Sequence, residues 1–238
     1  QHIENLYKAR EILAFKECYA LEKIHGTSAH ISCNKGKTGF FSGGSSGPVF
    51  LKLFDEPHLT AMFQELGHEK VMVYGEAYGG KLQGMSAAYG KELKFVCFEV
   101  KIGESWLAVP QAEEVVKRLG LEYVHYDLIP TDLDALDKII LQDSVQAVRN
   151  GMGTGHKREG VVLRPPFEVT MNNGERVMAK HKRLDFQETK TPRPLDQDKL
   201  VVLEEAQAVA EEWVTDMRRT HVLDEINQPW DMSKTPQV

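Results

Sequence analysis

The feature that most constrains the fold is a series of short segments rich in bulky residues and separated by Gly, Ser or Asn. Residues 18–24, 28–33 and 37–41 are three such segments in succession, a pattern typical of strands joined by turns. Two longer segments, residues 70–79 and 92–103, concentrate Val and aromatic side chains and predict further strands. A chain of this kind has to form sheets whose strands follow one another closely.

Helices are predicted between and after these strands. Residues 56–66 and 109–120 each place a proline in the first turn and apolar residues at helical spacing. A third helix is predicted over residues 131–148, where Thr131 and Asp134 resemble a capping box. Strands and helices in this mixture indicate an α+β fold.

The remaining segments divide the chain into two parts. Residues 159–166 and 176–183 read as two closing strands joined by a turn, so the main domain is expected over residues 1–190. A proline-containing linker follows, and apolar residues at spacings of three and four predict a short helical C-terminal segment over 195–238, expected to be reduced or truncated.

Composition limits the function classes. The net charge of −6 argues against a protein that coats nucleic acid through bulk charge, although a local basic groove is compatible with it. The three cysteines contain no CxxC pair and predict neither a disulfide framework nor a zinc site, which favours a cytoplasmic setting. No segment approaches the ~18 apolar residues of a membrane span. A soluble intracellular protein is therefore expected, with a monomer slightly favoured.

Common catalytic motifs are missing from the sequence. The chain contains no GxxxxGK[ST] phosphate loop, no HExxH zinc motif and no GxSxG nucleophile elbow. What remains is a set of separated short motifs, each on or at the end of a predicted strand: Lys23-Ile24-His25-Gly26, Tyr74-Gly75-Glu76, Phe95-Val96-Cys97-Phe98-Glu99, Glu159-Gly160-Val161-Val162-Leu163-Arg164 and Lys180-His181-Lys182. Strand ends can bring such cations, carboxylates and aromatic rings together over one groove.

In order and wording this set resembles the covalent nucleotidyltransferases, which include DNA ligases, RNA ligases and mRNA capping enzymes. Their nucleophile motif is KxDG or KxHG. The histidine at position 25, with Glu22 before the lysine and Thr27 after the glycine, is similar to the RNA ligase 2 branch, which includes the kinetoplastid RNA-editing ligases. The resemblance covers residues 20 to about 190 and implies a nucleotidyltransferase (ligase adenylation) domain of two packed antiparallel sheets with flanking helices.

The resemblance implies an ATP-dependent RNA ligase. Lys23 would attack the α-phosphate of ATP and form lysyl-AMP, AMP would pass to an RNA 5′-phosphate, and a 3′-hydroxyl would then attack to seal the strand. The expected partners are RNA ends or a nicked duplex. An ordinary lysine has a pKa of about 10.4 and is protonated at neutral pH. Lys180 and Lys182, with a bound metal ion, are expected to favour the neutral amine by like-charge repulsion.

Further roles come with the same resemblance. His25 is expected to act beside Lys23 in catalysis, and the nucleotide is expected to contact Glu22, Lys23, Glu76, Phe98, Lys180 and Lys182. Phe98 would stack on adenine, whereas Phe95 is expected in the core. Glu159 would hold Mg²⁺ or Mn²⁺, because hard cations prefer oxygen ligands and keep several waters. Basic residues that could contact RNA phosphates are Lys157, Arg158, Arg164 and Arg183.

Other interpretations stay open. A lone Lys23 is most simply an exposed surface lysine, and a DNA ligase, a capping-type guanylyltransferase or a non-catalytic RNA-binding module would share the fold. The chain also departs from the family at two positions. Ser45 or a neighbour stands where an arginine is frequent before a Gly-Pro, and Ser28 stands where asparagine is usual. Contacts to the terminal phosphates and to the RNA end are the functions these departures affect.

Overall fold

The structure is a computed structural model, and it describes residues 3–186. Its strands are β1 (Glu17–Lys23), β2 (Thr27–Asn34), β3 (Lys37–Ser42), β4 (Lys70–Gly79), β5 (Leu93–Ile102), β6 (Ser105–Trp106), β7 (Tyr126–Pro130), β8 (Gly160–Arg164) and β9 (Ala179–Lys182). Its helices are α1 (Gly47–Leu51), α2 (Glu56–Glu65), α3 (Ser86–Tyr89), α4 (Val109–Arg118), α5 (Leu133–Ile140) and α6 (Val145–Arg149). The helical segment predicted over 195–238 lies outside the described residues.

Two antiparallel sheets organise this part of the chain. The larger has the strand order β3-β2-β4-β5-β6, and the smaller has the order β7-β1-β8-β9. All pairings between these strands are antiparallel. The α+β class and the two antiparallel sheets expected from the sequence are thus confirmed.

Each sheet buries one apolar face against helices. Val71 and Val73 of β4 belong to the same buried cluster as Leu59 and Phe63 of α2 and the apolar side of α4. A second cluster joins Val161 and Leu163 of β8 to α5. Burial of such side chains, each stabilising by about 1.5–3 kcal/mol, holds the helices on the sheets. In the part of the chain described, no helix is long and apolar enough to cross a membrane.

The single helix predicted over residues 131–148 is wrong. The structure has two shorter helices there, α5 and α6, because Ser144 caps a new helix: its Oγ accepts a hydrogen bond from Ala147 N at 3.0 Å. The N-cap of α5 is Asp132, which accepts from Ala135 N at 2.8 Å, and not Thr131. The Thr131 hydroxyl donates instead to the Phe15 carbonyl. The break between the helices positions the start of α6 beside β1.

Candidate active site

Three of the predicted site residues contact one buried carboxylate. Glu159 is 1% exposed, and its Oε2 lies 3.1 Å from Lys23 Nζ and 3.0 Å from His25 Nδ1. Its Oε1 lies 2.8 Å from Lys182 Nζ. The first, fourth and fifth sequence motifs therefore meet at a single group.

Strand register explains this convergence. Lys23, the last residue of β1, is paired with Gly160 of β8, and Gly160 is paired with Lys182 of β9. The ends of three neighbouring strands therefore lie in one row, with Glu159 immediately before β8. Gly160 has to be glycine, since a Cβ there would overlap the backbone carbonyl oxygen of His181. Close packing of β8 against β9 therefore requires a glycine directly after Glu159.

Charge keeps Glu159 ionised despite its burial. Removal from water disfavours the carboxylate, but the attraction of Lys23 and Lys182 outweighs this and lowers the pKa of Glu159 below its ordinary 4.5. The sequence predicted direct repulsion between Lys182 and Lys23. Instead, a carboxylate lies between them and contacts both amines. Glu159 therefore bridges the two amines through its two carboxylate oxygens.

Glu76 lies close to this cluster and behaves differently. Burial raises its pKa to about 7, with a further increase from the negative charge of Glu159, and these effects outweigh the attraction of Lys23 and a hydrogen bond from the backbone of Gly26. Its strand, β4, pairs Glu76 with Ser28 of β2. The site thus has two carboxylates of different character, one firmly ionised and one that titrates near neutral pH.

Phe98 lies in a bulge of the larger sheet. The register of β4 and β5 shifts at Tyr74 and Gly75, which pair with Glu99 and Cys97 and leave Phe98 unpaired. Bulges redirect a side chain and are frequent beside active sites. Phe98 packs at the edge of the main core and is half-buried. Phe95, in contrast, packs against Phe50 and Phe54 at centroid distances of 5.3 and 5.7 Å, as expected for a core residue.

The nucleotide contact predicted for the Glu22 side chain is wrong in this structure. Glu22 is 3% exposed, and its carboxylate accepts hydrogen bonds from Ser144 Oγ at 2.5 Å, Val145 N at 3.0 Å and Gln146 N at 3.2 Å. The acceptor lies at the beginning of α6, where the free backbone N–H groups favour an anion. Glu22 therefore ties the end of β1 to α6.

Two of the predicted RNA contacts are also wrong. Arg158 is fully buried and donates to the Asp143 carbonyl and to Gln142. Arg164 is 2% exposed and donates to the Leu107 carbonyl and to Glu168. The sequence alone does not distinguish these two guanidinium groups from surface cations, because it does not show the carbonyls and carboxylates that surround them.

The other predicted cations are more accessible. Lys157 has an exposed side chain and forms an ion pair with Asp185 at 2.8 Å. The Arg183 guanidinium is mostly buried and lies 3.2 Å from the Leu141 carbonyl oxygen. Lys180 is half-buried on β9, and strand alternation puts it on the same face as Lys182, as the sequence predicted. Ser45, at one of the family departures, donates to Ser42 Oγ at 2.9 Å.

Tyr89 could not be recognised as a site residue from the sequence. This residue of α3 is fully buried, and its hydroxyl accepts a hydrogen bond from the backbone N–H of His25 at 3.4 Å. Burial raises the pKa of Tyr89 well above its ordinary value, so the hydroxyl stays neutral. Tyr89 thus helps to hold the turn after Lys23.

The site can offer oxygen ligands to a divalent cation. Among residues 3–186 there is no group of three or more His, Cys, Asp or Glu side chains able to enclose a metal ion. Glu159, with Glu76 nearby, nevertheless fits the ligand preference of Mg²⁺ or Mn²⁺, which are commonly bound by one or two carboxylates together with substrate phosphates. The cluster of cations around the same point suits a phosphate-rich substrate.

A comparison with protein-family models identifies the chain. The model described as RNA ligase matches residues 16–182, which is more than half of the sequence and includes every residue of the Glu159 cluster. This chain belongs to the RNA ligase family. Among curated protein sequences, none matches it significantly.

Solved structures of an RNA ligase from Naegleria gruberi are similar to this family member. A mutant form with AMP and Mn has a TM-score of 0.62 and 14% identity, over 78% of this chain and 56% of the solved chain. Another mutant form with ATP and Mn has a TM-score of 0.60 and 16% identity over the same shares, and a form with PPi has a TM-score of 0.59. At this identity the likeness establishes the nucleotidyltransferase fold. The chain spans just over half the length of these ligases.

Proposed function

We propose that this chain is an ATP-dependent RNA ligase that works through a covalent Lys23-AMP intermediate. The observation that carries the proposal is the convergence of Lys23, His25 and Lys182 on the buried carboxylate of Glu159. Membership of the RNA ligase family supports it, as does the fold shared with ligases solved with ATP, AMP and Mn. The finer assignment to the RNA ligase 2 branch is supported by His25, whose ring contacts Glu159.

In the first step, Lys23 Nζ forms a bond to the α-phosphorus of ATP, the bond to the β-phosphate oxygen breaks, and pyrophosphate leaves. The amine has to lose its proton first. A divalent cation at Glu159 would supply positive charge that disfavours the ammonium form of Lys23 and offsets charge on the phosphates. Lys182 and Lys180 would stabilise the negative charge that develops on the α-phosphate and on the leaving group.

In the two later steps, AMP is transferred from Lys23 to the RNA and the strand is then sealed. An oxygen of an RNA 5′-phosphate attacks the phosphorus of Lys23-AMP, and the bond to Nζ breaks. A 3′-hydroxyl then attacks the activated 5′-phosphate, which forms the phosphodiester and releases AMP. Glu76 would accept a hydrogen bond from the ribose, and Phe98, redirected by its bulge, would stack on adenine. Lys157 is the predicted RNA contact whose side chain is exposed.

Two further expectations remain part of the proposal. A cytoplasmic setting is supported by the three cysteines, which are free buried thiols. A monomeric state is slightly favoured, and size-exclusion chromatography with light scattering measures it directly.

The first experiment measures transfer of label from α-labelled ATP to the protein with Mg²⁺ or Mn²⁺. Lys23→Ala should form no adduct, whereas Lys8→Ala, which removes an exposed lysine, should form as much as the wild type. RNA sealing is then assayed on nicked duplex and on free ends. Labelling by GTP alone would favour a capping-type enzyme, and RNA binding without labelling by any nucleotide would favour a non-catalytic module.

A further inference from the structure

A row of aromatic side chains crosses the five-stranded sheet. His30 of β2 stacks on Phe41 of β3 with centroids 5.0 Å apart and an interplanar angle of 23°. The His30 ring also lies 5.7 Å from Tyr74 of β4, which in turn lies 5.3 Å from Trp106 of β6. We call Phe41, His30, Tyr74 and Trp106 the aromatic row. The adenylylation chemistry described above uses none of these rings.

Strand register places the aromatic row on the same sheet face as Glu76. His30 is paired with both Phe41 and Tyr74, and Ser28 is paired with Glu76. Side chains two residues apart on a strand share a face and lie about 7 Å apart along it. The aromatic row therefore begins one such step from Glu76, on the same face of the sheet.

Solvent reaches this face. Phe41 is 51% exposed, and the other three rings are half-buried. The next step along the face carries Ser32, which is paired with Gly39 of β3 and with Met72 of β4. A Cβ at Gly39 would lie only 3.0 Å from Ser32 Oγ, so any larger residue at this position would crowd the Ser32 side chain.

The charges around the aromatic row are modest. Lys37 and Lys70 are both paired with Asn34 at the far end of the same face, and Lys70 also forms an ion pair with Glu104. At the other end, Lys101 and Arg176 lie over Trp106 at 5.5 and 4.2 Å. Carboxylates engage both of these cations, namely Glu104, Glu99 and Glu168. Aromatic rings, more than free charge, distinguish this face.

The His30 ring adds to this surface as a neutral group. Burial lowers its pKa from 6.5, so the uncharged imidazole predominates at pH 7. An uncharged ring stacked on Phe41 and tilted by 47° to Tyr74 extends the aromatic surface and contributes no positive charge to it. Every base can stack on such a surface, because each base has a π-face.

We propose that the aromatic row is a stacking surface for single-stranded RNA next to the end that the enzyme joins. The inference rests on the proposed RNA ligase function and extends it by assigning a substrate surface. Unpaired bases can be splayed onto aromatic side chains, whereas the bases of a duplex are stacked on one another. This face extends from Asn34, which is paired with Lys37, to Glu76, so a strand bound along it would run toward Glu76 and the nearby Lys23.

The test measures the dissociation constant of a fluorescein-labelled 12-nucleotide single-stranded RNA by anisotropy, without ATP or metal. Phe41→Ala and the double variant His30→Ala/Tyr74→Ala should each weaken binding about fivefold or more. Phe41→Leu, which keeps apolar area but removes the ring, should weaken it nearly as much as Phe41→Ala. The matched control is Phe167→Ala, since Phe167 is also exposed, at 60%, but contacts Phe15 away from the aromatic row.

The outcomes separate this inference from the proposed function. Binding that stays within twofold of the wild type in Phe41→Ala and in the double variant would overturn the inference, as would the absence of RNA binding by the wild type. A Phe41→Leu variant with wild-type affinity would overturn it too, because apolar contact alone would then suffice. Lys23 labelling by ATP, measured in parallel without RNA, decides the proposed function whichever way the anisotropy result falls. Melting temperatures of all variants show whether a loss of affinity reflects unfolding.

Discussion

Glu22 and Lys23 are adjacent in the sequence, yet their charged groups lie in opposite surroundings. The Glu22 carboxylate is buried at the beginning of α6, whereas the Lys23 amine contacts the Glu159 carboxylate immediately before β8. Successive side chains of a strand point to opposite sides, so one residue can fix the strand while the next serves the site. Glu22 therefore holds the end of β1 in place on the side opposite the Lys23 amine.

This relationship predicts that Glu22→Gln destabilises the fold. The amide would replace one acceptor oxygen by an NH₂ group that faces the backbone donors of α6, and the favourable charge at the helix N-terminus would be lost. We expect a loss of about 1–3 kcal/mol in the free energy of unfolding, measured by urea denaturation. Glu17→Gln, an exposed position on the same strand, is the control. Equal stability of the two variants would contradict the anchoring role.

Glu159→Gln should lose both stability and lysyl-AMP formation. The substitution removes the anion that Lys23 and Lys182 share, and unpaired charges in a partly buried site are costly. Because Lys23 keeps some exposure to water, a loss of about 2 kcal/mol is expected, less than for a fully buried pair. Urea denaturation and ATP labelling measure the two effects. Lys182→Ala should cost less stability, since Glu159 keeps its contacts with Lys23 and His25. The reverse order of stabilities would contradict a central role for the carboxylate.

The sequence predicted the site better than it predicted the surroundings of the site. Lys23, His25, Glu159 and Lys182 stand in recognisable motifs at strand ends, and regular strands bring their ends together, so their proximity could be expected. The burial of Arg158 could not, because its partners are the backbone carbonyl of Asp143 and the side-chain amide of Gln142, about fifteen residues earlier in the chain. Likewise, the helix break before Ser144 is favoured by a tertiary contact with Glu22, which a local pattern does not show.

Substitutions of a buried arginine and of an exposed lysine should affect stability differently. Arg164→Met should reduce stability by about 3 kcal/mol, since it leaves Glu99 and Glu168 without one of their cations in a buried network. Lys157→Ala, at an exposed ion pair, should change stability by less than about 1 kcal/mol. Thermal and urea unfolding measure both effects. If Arg164→Met folded normally and specifically lost RNA affinity, the assignment of Arg164 to the interior would be wrong.

Phe98 and Phe95 offer a further pair. Phe95→Ala should destabilise the protein by up to about 3 kcal/mol, because the half-buried ring packs against Phe50 and Phe54. Phe98→Ala should raise the ATP concentration needed for half-maximal labelling, since the bulge redirects this ring. Labelling is measured over a range of ATP concentrations on folded protein. An unchanged ATP requirement in Phe98→Ala would contradict a stacking role for its ring.

The raised pKa of Glu76 predicts how stability depends on pH. In the unfolded chain this carboxyl ionises near pH 4.3, whereas in the folded protein it does so at about 7. Between these values the folded state binds more protons, so stability falls as pH rises, by as much as about 4 kcal/mol above pH 7. Glu76→Gln has no such proton to lose and should be more stable than the wild type at pH 8, with a smaller difference at pH 5. Urea denaturation at both pH values, with exposed Glu65→Gln as control, measures this difference. Parallel pH curves for the wild type and Glu76→Gln would show that Glu76 ionises as it does in water.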